Sequence, residues 1–304
     1  MNLRIFVTGA GGYLGSAIAA RLARGGHEVF GLTRNAERGA ALAGAGIRPV
    51  LGTLEDLESY IGALKNCDAA VHASFDDAAP AARDQQALEG FRIAAQDGRV
   101  RRLLYTSGVW VHGDTHGQVV DESAPLAPLE VSRWRAAHED VAADLAEYDV
   151  AVAILRPAIV YGESRGMIGA MFAEARERRT VTYAGDGSQA WPMVHRDDVA
   201  EAYALAVEHL KGGERFLLCD ESHPTLREIA EAIARVTGAQ ALPWPRESVI
   251  ETLGDLGEAM LASQKFSTAR ARRDLGWVPR HLSFVHEAEA LYREWLSLKG
   301  TPVV

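Results

Sequence analysis

Cysteine is almost missing from this chain: only Cys67 and Cys219 occur in 304 residues. They lie far apart and fall into no Cys-x-x-Cys or Cys/His spacing, which excludes a disulfide framework and a structural zinc site and leaves two core thiols. Long apolar runs are missing too, since none reaches the roughly 18 residues a membrane span needs. The opening Met1-Asn2-Leu3-Arg4 passes directly into an apolar strand without the regions of a signal peptide. The expectation is therefore a cytoplasmic protein with no membrane association. Positive charge is in short supply: 32 Lys+Arg face 41 Asp+Glu, a net charge of −9. That balance argues against nucleic acid as a partner, because phosphate-backbone binding needs a positive surface. No repeat or low-complexity tract is present, and Ala36 to Gly46, rich in Ala and Gly, reads as a small, tightly packed helix. With 48% hydrophobic and 24% charged residues the chain is too apolar for disorder, and its length suits one large domain or two coupled lobes with a ligand cleft between them.

Apolar, β-rich runs alternate with amphipathic stretches through the first half. Strands are expected at Leu3 to Thr8, Glu28 to Thr33, Ile47 to Leu51, Ala69 to Ala73, Arg101 to Thr106 and Ala151 to Leu155. Each is largely apolar, as a parallel strand covered on both faces must be. Helical segments such as Leu14 to Arg24, Ala81 to Gln96 and Arg133 to Tyr148 are long enough for right-handed crossovers. The predicted fold class is α/β, a Rossmann-like doubly wound parallel sheet with a smaller, mostly helical C-terminal substrate lobe. The predicted boundaries are a dinucleotide-binding domain over 1–160 and a substrate lobe over 161–304, with segments at about 195–220 returning to the first domain. In the second part, helices are expected at Ile168 to Arg178 and Asp198 to Leu210, a strand at Arg215 to Leu218, and mostly helices thereafter.

Thr8-Gly9-Ala10-Gly11-Gly12-Tyr13-Leu14-Gly15 places glycines at 9, 12 and 15 between the first strand and the first helix. Gly9 permits a positive φ at the turn, Gly12 lets the backbone approach a pyrophosphate, and Gly15 allows close helix–strand packing. The helix N-terminus supplies free N–H groups and the positive end of its dipole. A tight turn with no ligand would use the same residues, but the position in the first βα unit favours a dinucleotide. Where NAD enzymes usually carry an acid at the end of the second strand, this chain has Gly31-Leu32-Thr33-Arg34. Thr33 and Arg34 can bond a 2′-phosphate, so NADP is expected ahead of NAD, the alternative being that Arg34 is a solvated loop charge.

With these residues in view, the chain resembles the extended, NAD-dependent epimerase/dehydratase branch of the short-chain dehydrogenase/reductases. The resemblance spans nearly the whole chain. Thr8 to Gly15 is similar to the branch's glycine motif, and Gly52-Thr53-Leu54 to its segment after strand three, which implies that Thr53 and Leu54 meet the adenine. Val71-His72-Ala73-Ser74 resembles its fourth-strand motif, which implies that Ala73, Ser74 and Phe75 run along the cofactor. Leu155 to Gly162 resembles another signature and implies cofactor contacts from Pro157 and Ile159. Met193 to Ala200 and Leu275-Gly276-Trp277-Val278-Pro279 resemble two further ones.

The family's catalytic pair, Tyr-x-x-x-Lys on the helix after strand five, does not carry over. Anchored on Glu139, it falls on Val131 and Arg135. The assisting Ser/Thr, counted back from Val111-His112-Gly113, falls on Gly108, and Ser107 restores the hydroxyl after a one-residue shift. Arg135 can bond the cofactor ribose as the family's lysine does, but a guanidinium relays no proton. Losing the acid weakens hydride transfer without forbidding it, because acid–base help is worth about 10² to 10⁴ in rate while proximity is worth more. Three outcomes stay open. Tyr161 or His112 supplies the proton; or the substrate, an iminium or activated enone, needs little acid help; or NADP is bound only as a signal.

Trp110, Trp134 and Trp191 are expected to converge as an aromatic wall of the substrate pocket, with core packing as the equal alternative. His72 reads as a satisfied core histidine, His195 and Asp198 as helix-capping residues, and Arg176-Glu177-Arg178-Arg179 as a helix-end charge cluster. No metal is expected. The sequence thus leads to an NADP(H)-dependent oxidoreductase acting on a small organic carbonyl, imine or enone. The alternatives are a non-enzymatic NADP-binding sensor and, third, a sugar-nucleotide epimerase or dehydratase. The expected partner is a small-molecule substrate, and a homodimer is left open.

Overall fold

The computed structural model describes residues 2–299. Seven strands form the central sheet: β1 (Arg4–Thr8), β2 (Glu28–Thr33), β3 (Arg48–Leu51), β4 (Ala69–His72), β5 (Arg102–Thr106), β6 (Ala151–Pro157) and β7 (Glu214–Leu218). Their spatial order is β3-β2-β1-β4-β5-β6-β7, and every neighbouring pair is parallel. The chain winds outward from β1 to β3 and then crosses back to β4. That reversal opens a crevice at the carboxyl ends of β1 and β4, where ligands of doubly wound sheets bind.

Alternate side chains of each inner strand enter two cores. On one face Ile5, Val7, Val71, Leu104 and Leu155 pack with Ile18, Leu22 and Tyr203; these come from the helices Tyr13–Arg24 and Arg196–His209. On the other, Phe6, Ala70, Leu103, Tyr105 and Ile154 pack with Leu88, Phe91 and Ala142; these helices span Pro80–Asp97 and Arg133–Ala143. Burial on both faces is why the strands read as continuous apolar runs. The expected single helix to Tyr148 instead tightens into a 3₁₀ segment at Asp144–Tyr148.

A third core gathers Tyr161, Phe172, Trp191, Ile229, Phe284 and Trp295 in the C-terminal part. Here the reading of mostly helices missed two small parallel pairs, Ile159–Tyr161 with Met193–His195 and Thr180–Ala184 with Gln240–Trp244. The last carries Pro243, which a two-stranded sheet tolerates because each strand has a free edge. Residues 196–218 return to the large sheet, as a helix against Tyr13–Arg24 and as β7 beside β6.

Two buried polar assemblies fix elements around the crevice. The Glu139 carboxylate accepts from the Arg156 Nε at 2.9 Å and from its second terminal nitrogen at 2.5 Å, both residues being about 1% exposed. The Asp84 carboxylate accepts from Tyr105 Oη at 2.7 Å and pairs with His138 Nδ1 at 2.7 Å and His72 Nε2 at 2.9 Å. Burial would raise the Asp84 pKa, but His72, His138 and Tyr105 outweigh it and hold the carboxyl well below the usual range. His72 Nδ1 continues to Thr8 Oγ1 at 2.8 Å. His72 is thus a satisfied core histidine, and His138 ties the helix carrying Trp134 and Arg135 to Asp84 on the helix Pro80–Asp97, which in turn bonds Tyr105 and His72 of the sheet.

Candidate active site

The phosphate loop begins with Gly9 at φ +68°, a left-handed conformation; a Cβ there would lie 2.6 Å from the Ala73 carbonyl oxygen. Gly12 N–H donates to the Gly9 carbonyl at 2.8 Å, closing the turn. A Cβ on Gly15 would come within 2.1 Å of that same carbonyl, so the helix sits directly on the loop. The helix start at Gly12 has no side-chain cap and no acidic residue in its first turn. Its free N–H groups and positive dipole end suit an anion.

Above this loop lies a cleft of about 680 Å³ lined by Gly9, Gly12, Tyr13, Leu14, Thr33, Arg34, Thr53, Leu54, Ala73, Ser74, Phe75, Ser107 and Arg135. The same cleft is lined by Arg38, Arg83 and Arg165, which sequence reasoning did not single out. Arg38 lies in the first turn of the helix Ala36–Gly44, four residues after Arg34, and this second basic residue close behind the strand is the signal that could have found it. It crosses the loop, its Cδ 3.4 Å from where a Gly11 Cβ would stand. Of the acids on this wall, Asp76 pairs with Arg34 at 3.8 Å and Glu55 pairs with Arg83.

A second, apolar cavity of about 320 Å³ shares Tyr13, Phe75, Ser107, Arg135 and Gly166 with the first. Its walls include Val109, Trp110, Val131, Trp134, Pro157, Ile159 and Met167, and its only charged lining residue is Arg135. The Arg135 guanidinium donates to the Thr106 carbonyl at 2.8 Å, and its carbon lies 4.4 Å from the Trp134 ring centroid and 5.7 Å from that of Phe75. Phe75 is 61% exposed at the junction. The Ser107 hydroxyl is buried with no hydrogen-bond partner, although its residue lines both cavities. A buried polar atom without a partner is costly, which marks it for a ligand oxygen.

Three expected site residues lie elsewhere. Tyr161 is fully buried beneath the C-terminal lobe, edge-on to His195 and Phe284, with its hydroxyl 3.5 Å from Asp220. Burial, reinforced by Asp220, raises its pKa far above that of an ordinary phenol. The cause is the pairing of Ile159–Tyr161 with Met193–His195, which turns the ring into the lobe's core. His112 is buried against Arg156 at 2.9 Å, and burial with that guanidinium pushes its pKa down to about 4. It lines neither cavity. Trp191 is 2% exposed, with its indole N–H on the Met260 carbonyl at 3.2 Å, so it is a core residue. Asp198 stands in the first turn of the helix Arg196–His209, where an acid meets the dipole as expected, while the side-chain cap is His195, whose Nδ1 accepts from Asp197 N–H at 3.2 Å. The Asp198 carboxylate accepts the backbone N–H groups of Arg280 and His281, at 2.9 and 3.0 Å.

These placements separate two substitutions. Ser107→Ala is expected to lower kcat by about 10²-fold, the scale for losing one hydrogen-bond donor at a developing negative charge. Tyr161→Phe is expected to leave kcat within about twofold, because a residue outside the cleft contributes no transition-state contact. A loss of similar size in the Tyr161 variant would return the phenol to the chemistry.

A seven-stranded parallel sheet in the order 3-2-1-4-5-6-7, covered by helices on both faces and with a glycine loop at its switch point, defines a dinucleotide-binding α/β protein. A model of the NAD dependent epimerase/dehydratase family matches residues 5–219, and the chain belongs to that family. It is 30% identical over 285 residues to an uncharacterized protein of Schizosaccharomyces pombe, covering 92% of this chain and 96% of that one. It is 26% identical over 312 residues to a 4-hydroxy-2-methyl-3-oxo-4-farnesyl-3,4-dihydroquinoline-1-oxide ketoreductase of Stigmatella aurantiaca, covering 91% and 92%. The fold is shared with a dTDP-glucose 4,6-dehydratase of Streptomyces venezuelae solved with NAD, at a TM-score of 0.84 and 22% identity over 99% of this chain and 100% of that one. The chain is accordingly of the oxidoreductase and epimerase class that uses NAD or NADP. Among the described residues no helix is long and apolar enough to cross a membrane.

Proposed function

We propose that the protein is an NADP(H)-dependent reductase of a small organic carbonyl, imine or enone, with an active site that departs from the family's pattern. The observation that carries this reading is the junction of the two cavities, where a phosphate cradle continues into an apolar pocket with a partnerless serine hydroxyl at the join. When bound, NADPH would supply a hydride to the carbonyl carbon. Gly9, Gly12 and Gly15 would shape the diphosphate cradle, Thr53, Leu54 and the Ala73–Phe75 segment would flank the dinucleotide, and Pro157 and Ile159 would border its reactive end. Ser107 Oγ would donate to the substrate carbonyl oxygen, which takes its proton from water. Val131 lines the pocket at the position the resemblance assigns to the tyrosine, and no tyrosine in the chain has lysine four residues on.

The preference for NADP rests on Arg38, which has no ion pair among the described residues, and on Arg34 beside Thr33, although Asp76 pairs with Arg34 at 3.8 Å and Asp77 also lines the wall. Arg34→Ala with Arg38→Ala is expected to raise the NADPH Kd about 10-fold or more and to leave the NADH Kd nearly unchanged, because only NADPH carries the 2′-phosphate. Fluorescence titration with both dinucleotides checks this, and equal weakening of the two would favour NAD. A sugar nucleotide suits the pocket less well: its diphosphate would need cations that the apolar walls, with Arg135 alone, do not offer. The aromatic side chains Phe75, Trp110 and Trp134 along this cavity also favour an enzyme over a sensor.

A further inference from the structure

Arg135 offers more than its known contact uses. A guanidinium carries five N–H donors in a planar fork, and one terminal nitrogen is bonded to the Thr106 carbonyl. Among the described residues Arg135 forms no ion pair, whereas the nearby cations Arg34, Arg83 and Arg165 each have a carboxylate partner. The Thr106 carbonyl and the Trp134 and Phe75 rings hold the group in place, so its orientation is set before a ligand arrives. It lines an otherwise apolar cavity, beside the buried and partnerless Ser107 hydroxyl. A fixed, unpaired fork in apolar surroundings is built for a planar anion with two oxygens.

We propose that Arg135 is a specificity-determining residue that receives a substrate carboxylate, so that the substrate class is a small oxo acid with an apolar or aromatic tail; this rests on the reductase reading above. The carboxylate lies on the Arg135 fork, the carbonyl oxygen on Ser107 Oγ, and the tail against Trp110, Val131 and Ile159. The reaction balances as oxo acid, NADPH and one proton giving hydroxy acid and NADP+: the carbonyl carbon gains the hydride whose C–H bond to the reduced nicotinamide breaks, the carbonyl π pair takes the proton from water as a new O–H bond, and the carboxylate is unchanged.

The test uses two oxo acids, phenylpyruvate and benzoylacetate, each against its neutral ethyl ester. Binding is read by tryptophan fluorescence with NADP+ present, so that no turnover occurs, and Trp134→Phe shows how much of the signal arises at the pocket. Wild type should bind at least one acid about 10-fold or more tighter than its ester. Arg135→Met should weaken that acid about 10- to 100-fold, the scale of a lost charge-assisted hydrogen bond, with Arg135→Lys between the two and with ester and NADPH weakened at least several-fold less than the acid. Equal binding of acid and ester by wild type would overturn the proposal. So would a loss in Arg135→Met shared by NADPH, acid and ester, which would assign the fork to the cofactor. Acid-selective binding that depends on Arg135 but is followed by no NADPH oxidation would uphold the anion site and overturn the reductase reading alone.

Discussion

Gly15→Ala is expected to raise the Kd for NADPH and NADH alike by about 100-fold or more. The added carbon would stand 2.1 Å from the Gly9 carbonyl oxygen, and that oxygen also accepts the Gly12 N–H that closes the loop. Backbone has to move, and the amides that face the diphosphate move with it. Displacing oriented N–H groups by even about 1 Å forfeits several charge-assisted hydrogen bonds at once. Overpacking of this kind also costs about 1–3 kcal/mol in stability, so a thermal melt should accompany the titration. Binding at wild-type affinity by a folded Gly15→Ala variant would show that the loop does not hold the dinucleotide.

Glu139→Ala is expected to destabilise the fold by about 3–5 kcal/mol, because it strands the Arg156 guanidinium in the interior. Arg156 is 1% exposed on β6, and apart from Glu139 its polar partner is the buried His112 at 2.9 Å. The nearby Arg215, 3.8 Å from the same carboxylate, would add repulsion once that carboxylate is gone. The double variant Glu139→Ala with Arg156→Met should recover much of the loss, since removing both charges leaves no buried ion to desolvate. Melting temperatures of the four proteins complete the cycle. A Glu139→Ala variant as stable as wild type, or a double variant worse than the sum of the singles, would contradict this account of the pair.

The sheet was readable before any coordinates. Ile5, Phe6 and Val7 are all buried although they point to opposite faces, and only a covered parallel strand gives that run. The glycine loop was readable for a similar reason: it needs residues without side chains at fixed offsets after a strand. The short strand pairs of the C-terminal part were not, because three to five residues containing Pro243 carry no periodic signal. The wall of the apolar cavity is partly legible in the sequence. Trp110 and Trp134 flank strand five and its following helix and both line the apolar cavity, whereas Trp191, read the same way, turns into the lobe's core. Met167 reaches the apolar cavity from the start of the helix Gly166–Arg178, whose apolar first turns do not show in sequence which residue faces the cavity.

Chain order and residue type thus determined the doubly wound sheet, the phosphate loop and its switch-point crevice, because each depends on burial periodicity and on local backbone freedom. Only the tertiary structure decided which side chains face the hollow beyond that crevice. Tyr161 and Val160 are neighbours in one short strand, yet the tyrosine is sealed under Phe284 while the valine lines the pocket. Side chains alternate along a strand, so their fate depends on what packs against each face, and here that is a lobe from more than 100 residues further along the chain.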